Sequence, residues 1–213
     1  NPGTSEMHIV AALDRKPQMR CVLGLFEGVV TGAADGYARR ADKPAATLLH
    51  CGPGMANALA NMHNAKRART PMINVVGDHA TYHLQHDAPL TSDIEGLAWP
   101  MSHFVRRIES PEDVGPAIGE AYAASLSLPG VTTVILPADC AWGSVEPATL
   151  APTKVPTLKS ADPARVRAPH AVEDQHVWLR LQLGECGFQH GTFPEREKSR
   201  NVGEGRRHLC QCR

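Results

Sequence analysis

Gly24-Leu25-Phe26-Glu27-Gly28-Val29-Val30 sets one carboxylate among apolar neighbours, between a short apolar run over 20–25 and a Gly- and Ala-rich stretch over 28–40. Taken as a buried strand running into a helix, this stretch makes Glu27 a poorly solvated acid. Desolvation disfavours the charged form, raises a carboxyl pKa and brings proton exchange toward neutrality. Alternatively Glu27 is only the first-turn acid of the helix, complementing its macrodipole. The residues that follow, among them Gly32, Ala33, Ala34, Gly36 and Ala38, lower helix propensity but let a second backbone approach closely.

Working outward, Asn1-Pro2-Gly3-Thr4-Ser5-Glu6 reads as a turn delivering a helix, with Thr4 or Ser5 as N-cap and Met7, Val10 and Ala11 at helical spacing. On the other side, Lys43-Pro44 stops the first helix and a strand is expected over 45–49. The loop His50-Cys51-Gly52-Pro53-Gly54 then leads to a helix over 55–69 whose apolar stripe is Met55, Ala58, Leu59, Met62 and Ala65. Further strands are expected over 72–76, 103–108 and 131–136, and a helix over 111–126 capped by Ser110. The polar stretch 80–100, with His83, His86, Asp87, Asp93 and Glu95, is longer than a compact domain usually carries without a function.

Strands alternating with helices of this length predict an α/β fold: three layers, a mostly parallel sheet with helices on both faces. Ligands of such sheets sit at the carboxyl ends of the strands. That rule places Glu27, the His50 loop and the Asp78 loop on one edge. A domain over 1–147 is expected, then a linker over 148–168 containing Pro152, Pro156 and Pro163. The stretch 169–213 has one short apolar patch, Val177-Trp178-Leu179, and is expected to be an irregular tail, non-native or disordered.

The 213 residues carry 22 basic and 22 acidic side chains, so net charge recruits neither nucleic acid nor an acidic membrane, and a small-molecule partner is expected. No apolar run reaches the roughly 20 residues of a membrane span, and no signal-like leader is seen, which predicts a cytoplasmic protein. Cys21, Cys51 and Cys140 lie in or beside apolar segments, as reduced thiols do, and no disulfide framework is implied. Cys210-x-Cys212 lacks a second pair at metal-site spacing. His79, His83 and His86 lie in a stretch without helical register, so no metal ligand is assigned. Gly52-x-Gly54-x-x-Asn57, with Asp78 after the next strand, is one residue from a dinucleotide fingerprint. Pro53 removes a phosphate-binding donor and Asn57 replaces the third glycine, so a nicotinamide-binding domain is kept only as a minor alternative. His50, at the end of its strand, is suited to proton transfer or to orienting a substrate carboxylate, or is a solvent-facing loop residue.

Six motifs in order resemble the N-terminal pyrimidine-binding domain of thiamine-diphosphate enzymes related to acetolactate synthase and benzoylformate decarboxylase. They are Asn1-Pro2-Gly3-Thr4-Ser5-Glu6; Glu27 with Gly24 and Gly28; Ala33-Ala34-Asp35-Gly36-Tyr37-Ala38-Arg39; Gly52-Pro53-Gly54 with Asn57; the segment from Pro71 to Gly77; and Pro137-Ala138-Asp139. The resemblance implies that Glu27 hydrogen-bonds the cofactor's aminopyrimidine and promotes the tautomer that takes the proton from the thiazolium C2. It implies that Gly52, Pro53, Gly54 and Asn57 approach the pyrimidine, that Pro2, Gly3 and Gly28 belong to the cofactor site, and that His50 is the active-site histidine of the decarboxylase branch. The family acts on 2-keto acids, by decarboxylation or by acetolactate-type carboligation. It forms its site against the diphosphate-binding domain of another subunit, which holds Mg2+ with a Gly-Asp-Gly motif not found here. The chain is therefore expected to lack its first strand and its Mg2+ site, as a truncated or frame-shifted product or a small subunit. It is expected to work in a homo- or hetero-oligomer, or to be a non-catalytic dimerisation module.

Overall fold

The computed structural model describes residues 1–127 and 129–146. The expectations for the linker and the tail lie outside the described residues.

Four strands, β1 (Ala45–His50), β2 (Met72–Asp78), β3 (Phe104–Arg107) and β4 (Val131–Pro137), form one sheet in the order β1-β2-β4-β3, and every pairing is parallel. Side chains alternate across a strand, and the residues divide accordingly. Met72 and Val76 of β2 with Val131 and Ile135 of β4 face one core. That core is completed by Ala34 and Ala38 of α2 (Glu27–Ala41), by Met55, Ala58, Met62 and Ala65 of α3 (Cys51–Arg67), and by Ile94 and Ala98 of α4 (Ile94–Ala98). Ile73 of β2 with Val134 and Leu136 of β4 face the other core. There they meet Ala117 and Ala121 of α5 (Val114–Ser127) and Cys140 of α6 (Ala138–Trp142). Ile9 of α1 (Met7–Asp14) packs at the rim of this second core. The three layers are those expected.

Within the first core a polar row crosses the sheet. Thr47 Oγ1 donates to Asn74 Oδ1 at 2.6 Å, and the Ser102 and Thr133 hydroxyls pair at 2.8 Å. Helices α2 and α3 pack through small residues. Asn61 Nδ2 donates to the Gly28 carbonyl at 2.6 Å, Thr31 Oγ1 donates to the Ala58 carbonyl at 3.3 Å, and a Cβ on Gly32 would stand 3.1 Å from Asn61 Nδ2.

Several local expectations need correction. Residues 20–25 form no strand: Val22, Leu23 and Leu25 are 80%, 70% and 85% exposed. No other described strand pairs with this run, so its apolar side chains have no layer to enter. Helix α3 begins at Cys51, so Gly52, Pro53 and Gly54 form its first turn and not a loop. The stretch 80–100 holds a 3-10 helix, Thr81–His86, and α4, whose Asp93 side chain caps Gly96 N at 2.8 Å. At the amino end neither Thr4 nor Ser5 caps. The 3-10 turn Thr4–Glu6 has Gly3 at its N-cap, and Met7 and Val10 are exposed.

Candidate active site

Glu27 is the first residue of α2, entered through an extended Phe26, and it is buried although Leu25, Phe26 and Val29 around it are exposed. Its Oε1 accepts from Asn1 Nδ2 at 2.9 Å and its Oε2 from Asn57 Nδ2 at 3.0 Å. Gly54, one turn into α3, makes this approach possible, since a Cβ there would lie 3.1 Å from Oε1. The expected upward pKa shift is overturned. Burial pushes the carboxyl up, but the Asn57 amide, Glu27's own backbone N–H, the Asn1 amide and the Asn1 amine together hold it below the ordinary carboxylate value. The amides that fix the side chain also stabilise its charge.

A second buried acid escaped the sequence analysis. Glu6 is fully buried, and its Oε2 accepts from Gly3 N at 2.6 Å and lies 2.9 Å from His50 Nδ1. With Oε2 serving as acceptor, the Nδ1 proton faces Glu6 and Nε2 becomes the lone-pair nitrogen of the ring. Two glycines leave room for this pair. A Cβ on Gly3 would fall 2.3 Å from His50 Cε1, and one on Gly77, at the end of β2, 1.6 Å from Glu6 Oε1. The signal was the spacing of Gly3 and Glu6, an acid three residues after a position that needs its N–H satisfied.

Cys51 follows His50 with φ 49, in the left-handed region that non-glycine residues seldom enter, and its side chain is buried. The Ser5 hydroxyl lies 3.5 Å from its sulfur. Burial, reinforced by the charges of Glu6 and Asp78 and opposed by the Ser5 hydrogen bond, pushes the thiol up to about 11.

Of the expected cofactor-site residues, Gly54 and Asn57 meet Glu27, and Gly3 meets His50 and Glu6. Gly28 serves helix packing, a Cβ there standing 3.3 Å from the Asn57 carbonyl, and Gly52 packs beneath Ser92. Pro53 is exposed and Pro2 half-buried. The carboxyl ends of the strands do share an edge: His50 is in register with Gly77, and Asp78 with Pro137.

Asp78, the acid of the dinucleotide alternative, is buried and accepts from Arg107 Nη1 at 2.8 Å, while Arg107 Nε donates to Glu95 at 2.8 Å. Paired in this way it is not a free ribose acceptor, and with Gly52 and Gly54 already inside a helix the nicotinamide alternative falls. His79 meets His83 edge-on and His83 meets His86 at a tilt, with ring centroids 5.7 and 5.4 Å apart, and among the described residues these three do not bring their ligand atoms together.

Residues 1–97 match the family described as thiamine pyrophosphate enzyme, N-terminal TPP binding domain. Over 142 residues the chain is 63% identical to IlvX of Mycobacterium tuberculosis, whose name assigns it to acetolactate synthase large subunits; the match covers 67% of this chain and 28% of that protein. Benzoylformate decarboxylase of Pseudomonas aeruginosa is 30% identical over 137 residues, covering 64% of this chain and 25% of the enzyme. The crystal structure of benzoylformate decarboxylase from Polynucleobacter necessarius superposes with a TM-score of 0.66 at 29% identity, over 78% of this chain and 31% of that one. The chain thus spans between a quarter and a third of the length of these relatives. Through residues 1–97 it is similar to the N-terminal TPP binding domain of the thiamine pyrophosphate enzymes.

Proposed function

We propose that this chain supplies the cofactor-activating half of an enzyme acting on 2-keto acids, with Glu27 and His50 as its catalytic residues. The observation that carries this is the setting of Glu27, a buried carboxylate held by two amides beside a helix turn that lacks a Cβ. The residues fit an aminopyrimidine. A carboxylate offers about four lone-pair sites, of which side chains use two, and the missing Cβ of Gly54 lets the acid lie against the first turn of α3. Asn57 and Asn1 orient the acid, Gly54 in the first turn of α3 lies against it, and Gly52 and Pro53 of the same turn would approach the pyrimidine. Held below its ordinary pKa, Glu27 stands ready as a proton acceptor and hydrogen-bond anchor at neutral pH. When bound, thiamine diphosphate supplies an acidic thiazolium C2 that adds to 2-keto acids and accommodates the negative charge left by decarboxylation. His50 accepts or donates a proton at Nε2, and Glu6 is its positioning residue, fixing the tautomer through Nδ1.

The partner in this reading is a diphosphate-binding domain or subunit of the same enzyme, which would hold Mg2+ and the diphosphate. The exposed apolar run Val22, Leu23, Leu25, Phe26 and Val29 beside Glu27 supports a covering partner there.

The test is hydrogen–deuterium exchange at the cofactor C2 in the enzyme assembled from this chain and such a partner. Glu27→Gln should slow exchange by about 100-fold or more while leaving most cofactor affinity in place. An exchange rate within about threefold of the parent's would reduce Glu27 to a helix-terminal acid.

A further inference from the structure

Beside Glu27, but separate from its carboxylate, lies a second set of side chains. Among the described residues, Glu6, His50 and Cys51 are the one group of three His, Cys or acidic residues whose ligand atoms all lie within 4.8 Å of one another. Their chemistry is mixed: one thiol, one imidazole and one carboxylate. Glu6 and Cys51 are fully buried, and the His50 side chain is one quarter exposed. Glu6 adds a second observation. Its Oε2 is committed to Gly3 N and His50 Nδ1, whereas its Oε1, equally buried, has no hydrogen-bond partner. A buried carboxylate oxygen without a partner is costly, and a cation would satisfy it.

We propose that Glu6, His50 and Cys51 form a binding site for a borderline-soft divalent cation of the zinc class. Thiolate and imidazole ligands select against Mg2+ and Ca2+, which take oxygen sets. Three protein ligands leave the fourth tetrahedral position open, toward the exposed side of His50. Ligand atoms of a tetrahedral zinc site stand about 3.3 to 3.6 Å apart, given bonds of about 2.0 to 2.3 Å, so movements of roughly an ångström close the set. On binding, the S–H bond of Cys51 breaks, its proton passes to solvent, and sulfur and metal share the electron pair. His50 ligates through Nδ1 as the neutral ring, the proton it held there being carried on Nε2 instead. In the metal-free chain burial and the charges of Glu6 and Asp78 keep the thiol protonated, so binding must displace that proton. Because the ring of His50 and the carboxylate that positions it would both be taken up, an occupied site is an inhibited one. This goes beyond the proposed function, and its test needs no thiamine diphosphate.

The experiment titrates the 213-residue chain, stripped of metal by chelation, with Co2+ as a spectroscopic stand-in for Zn2+. The expected result is a thiolate-to-cobalt charge-transfer band with visible bands of tetrahedral intensity, and an affinity that rises with pH as protons are released. Cys51→Ser should abolish the charge-transfer band. His50→Gln, at a partly exposed position that tolerates change, should weaken binding by at least about tenfold. Cys140→Ser and the double change Cys210→Ser with Cys212→Ser should leave both band and affinity unchanged. Circular dichroism and the unfolding midpoint confirm that each variant is folded. The proposal is overturned by the absence of a charge-transfer band in the parent chain. It is overturned equally by a band that survives in folded Cys51→Ser, since the ligands would then lie elsewhere.

Discussion

Replacing Glu27 by glutamine keeps the size of the side chain and removes its charge, so its effect on stability isolates the two bonds described above. In the parent, Asn1 and Asn57 each donate a charge-assisted hydrogen bond, at 2.9 and 3.0 Å, to a carboxylate that is 5% exposed. A hydrogen bond to a charged group contributes about 1.5 to 3 kcal/mol and a neutral one about 0.5 to 1.5 kcal/mol. Asn57 is exposed and can turn its carbonyl toward the new amide, so both bonds survive in neutral form and each loses about 1 kcal/mol. The sum is about 2 kcal/mol, or about 4 to 8 °C in Tm for a domain of this size. The pH dependence gives the sharper test. Glu27 titrates below its ordinary value in the folded state, so its stabilisation is fully present above the unfolded carboxyl pKa of about 4.3. It is lost as pH falls through the folded value. Urea unfolding of parent and Glu27→Gln should show a constant difference from about pH 7 down to about pH 5, shrinking below about pH 4. A difference that persists undiminished to about pH 3, or one under about 0.5 kcal/mol at neutrality, would refute the assignment of these bonds.

Other outcomes follow from the same structure. Cys51, buried with its thiol pushed up to about 11, should react with iodoacetamide at least about 100-fold more slowly than exposed Cys21, read by peptide mass mapping. Gly77→Ala should destabilise the fold by more than about 2 kcal/mol, because its methyl group would displace the buried Glu6 carboxylate, and the Gly77→Ala/Glu6→Ala double variant should recover part of that loss in denaturant titrations. Asp78→Asn leaves Arg107 with Glu95 alone and should cost about 3 kcal/mol, whereas Asp35→Asn, which loosens an exposed pair with Arg39, should cost under about 1 kcal/mol.

The layer architecture was legible because its signals are local. The stripe of Met55, Ala58, Met62 and Ala65 at helical spacing, a helix stopped by Lys43-Pro44 and an apolar run stopped by Pro137 fix element type before any packing is known. The run over 20–25 misled because apolar content does not tell burial in the domain from burial against a partner, and here the side chains are exposed. Glu27 is buried as expected, but for a different reason. Apolar sequence neighbours suggested desolvation, whereas its burial comes from α3 and from Asn1, brought in from distant positions with amides that reverse the pKa shift. Glu6 was missed for the same reason. Nothing in its own neighbourhood announces a partner 44 positions away, and its contact with His50 exists only once β1 is placed in the sheet.

The six opening residues belong to no strand, yet Asn1 touches Glu27 and Leu48, Gly3 lies on His50, Ser5 meets Cys51 and Glu6 reaches Gly77. In the proposed reading, the acid Glu27 and the imidazole His50, from different elements, are therefore aligned to one common strap rather than to each other. A displacement of that strap would disturb the contacts of both at once. A lesion in the strap should register as a joint failure of acid and imidazole, a signature that damage to α2 or β1 alone cannot imitate.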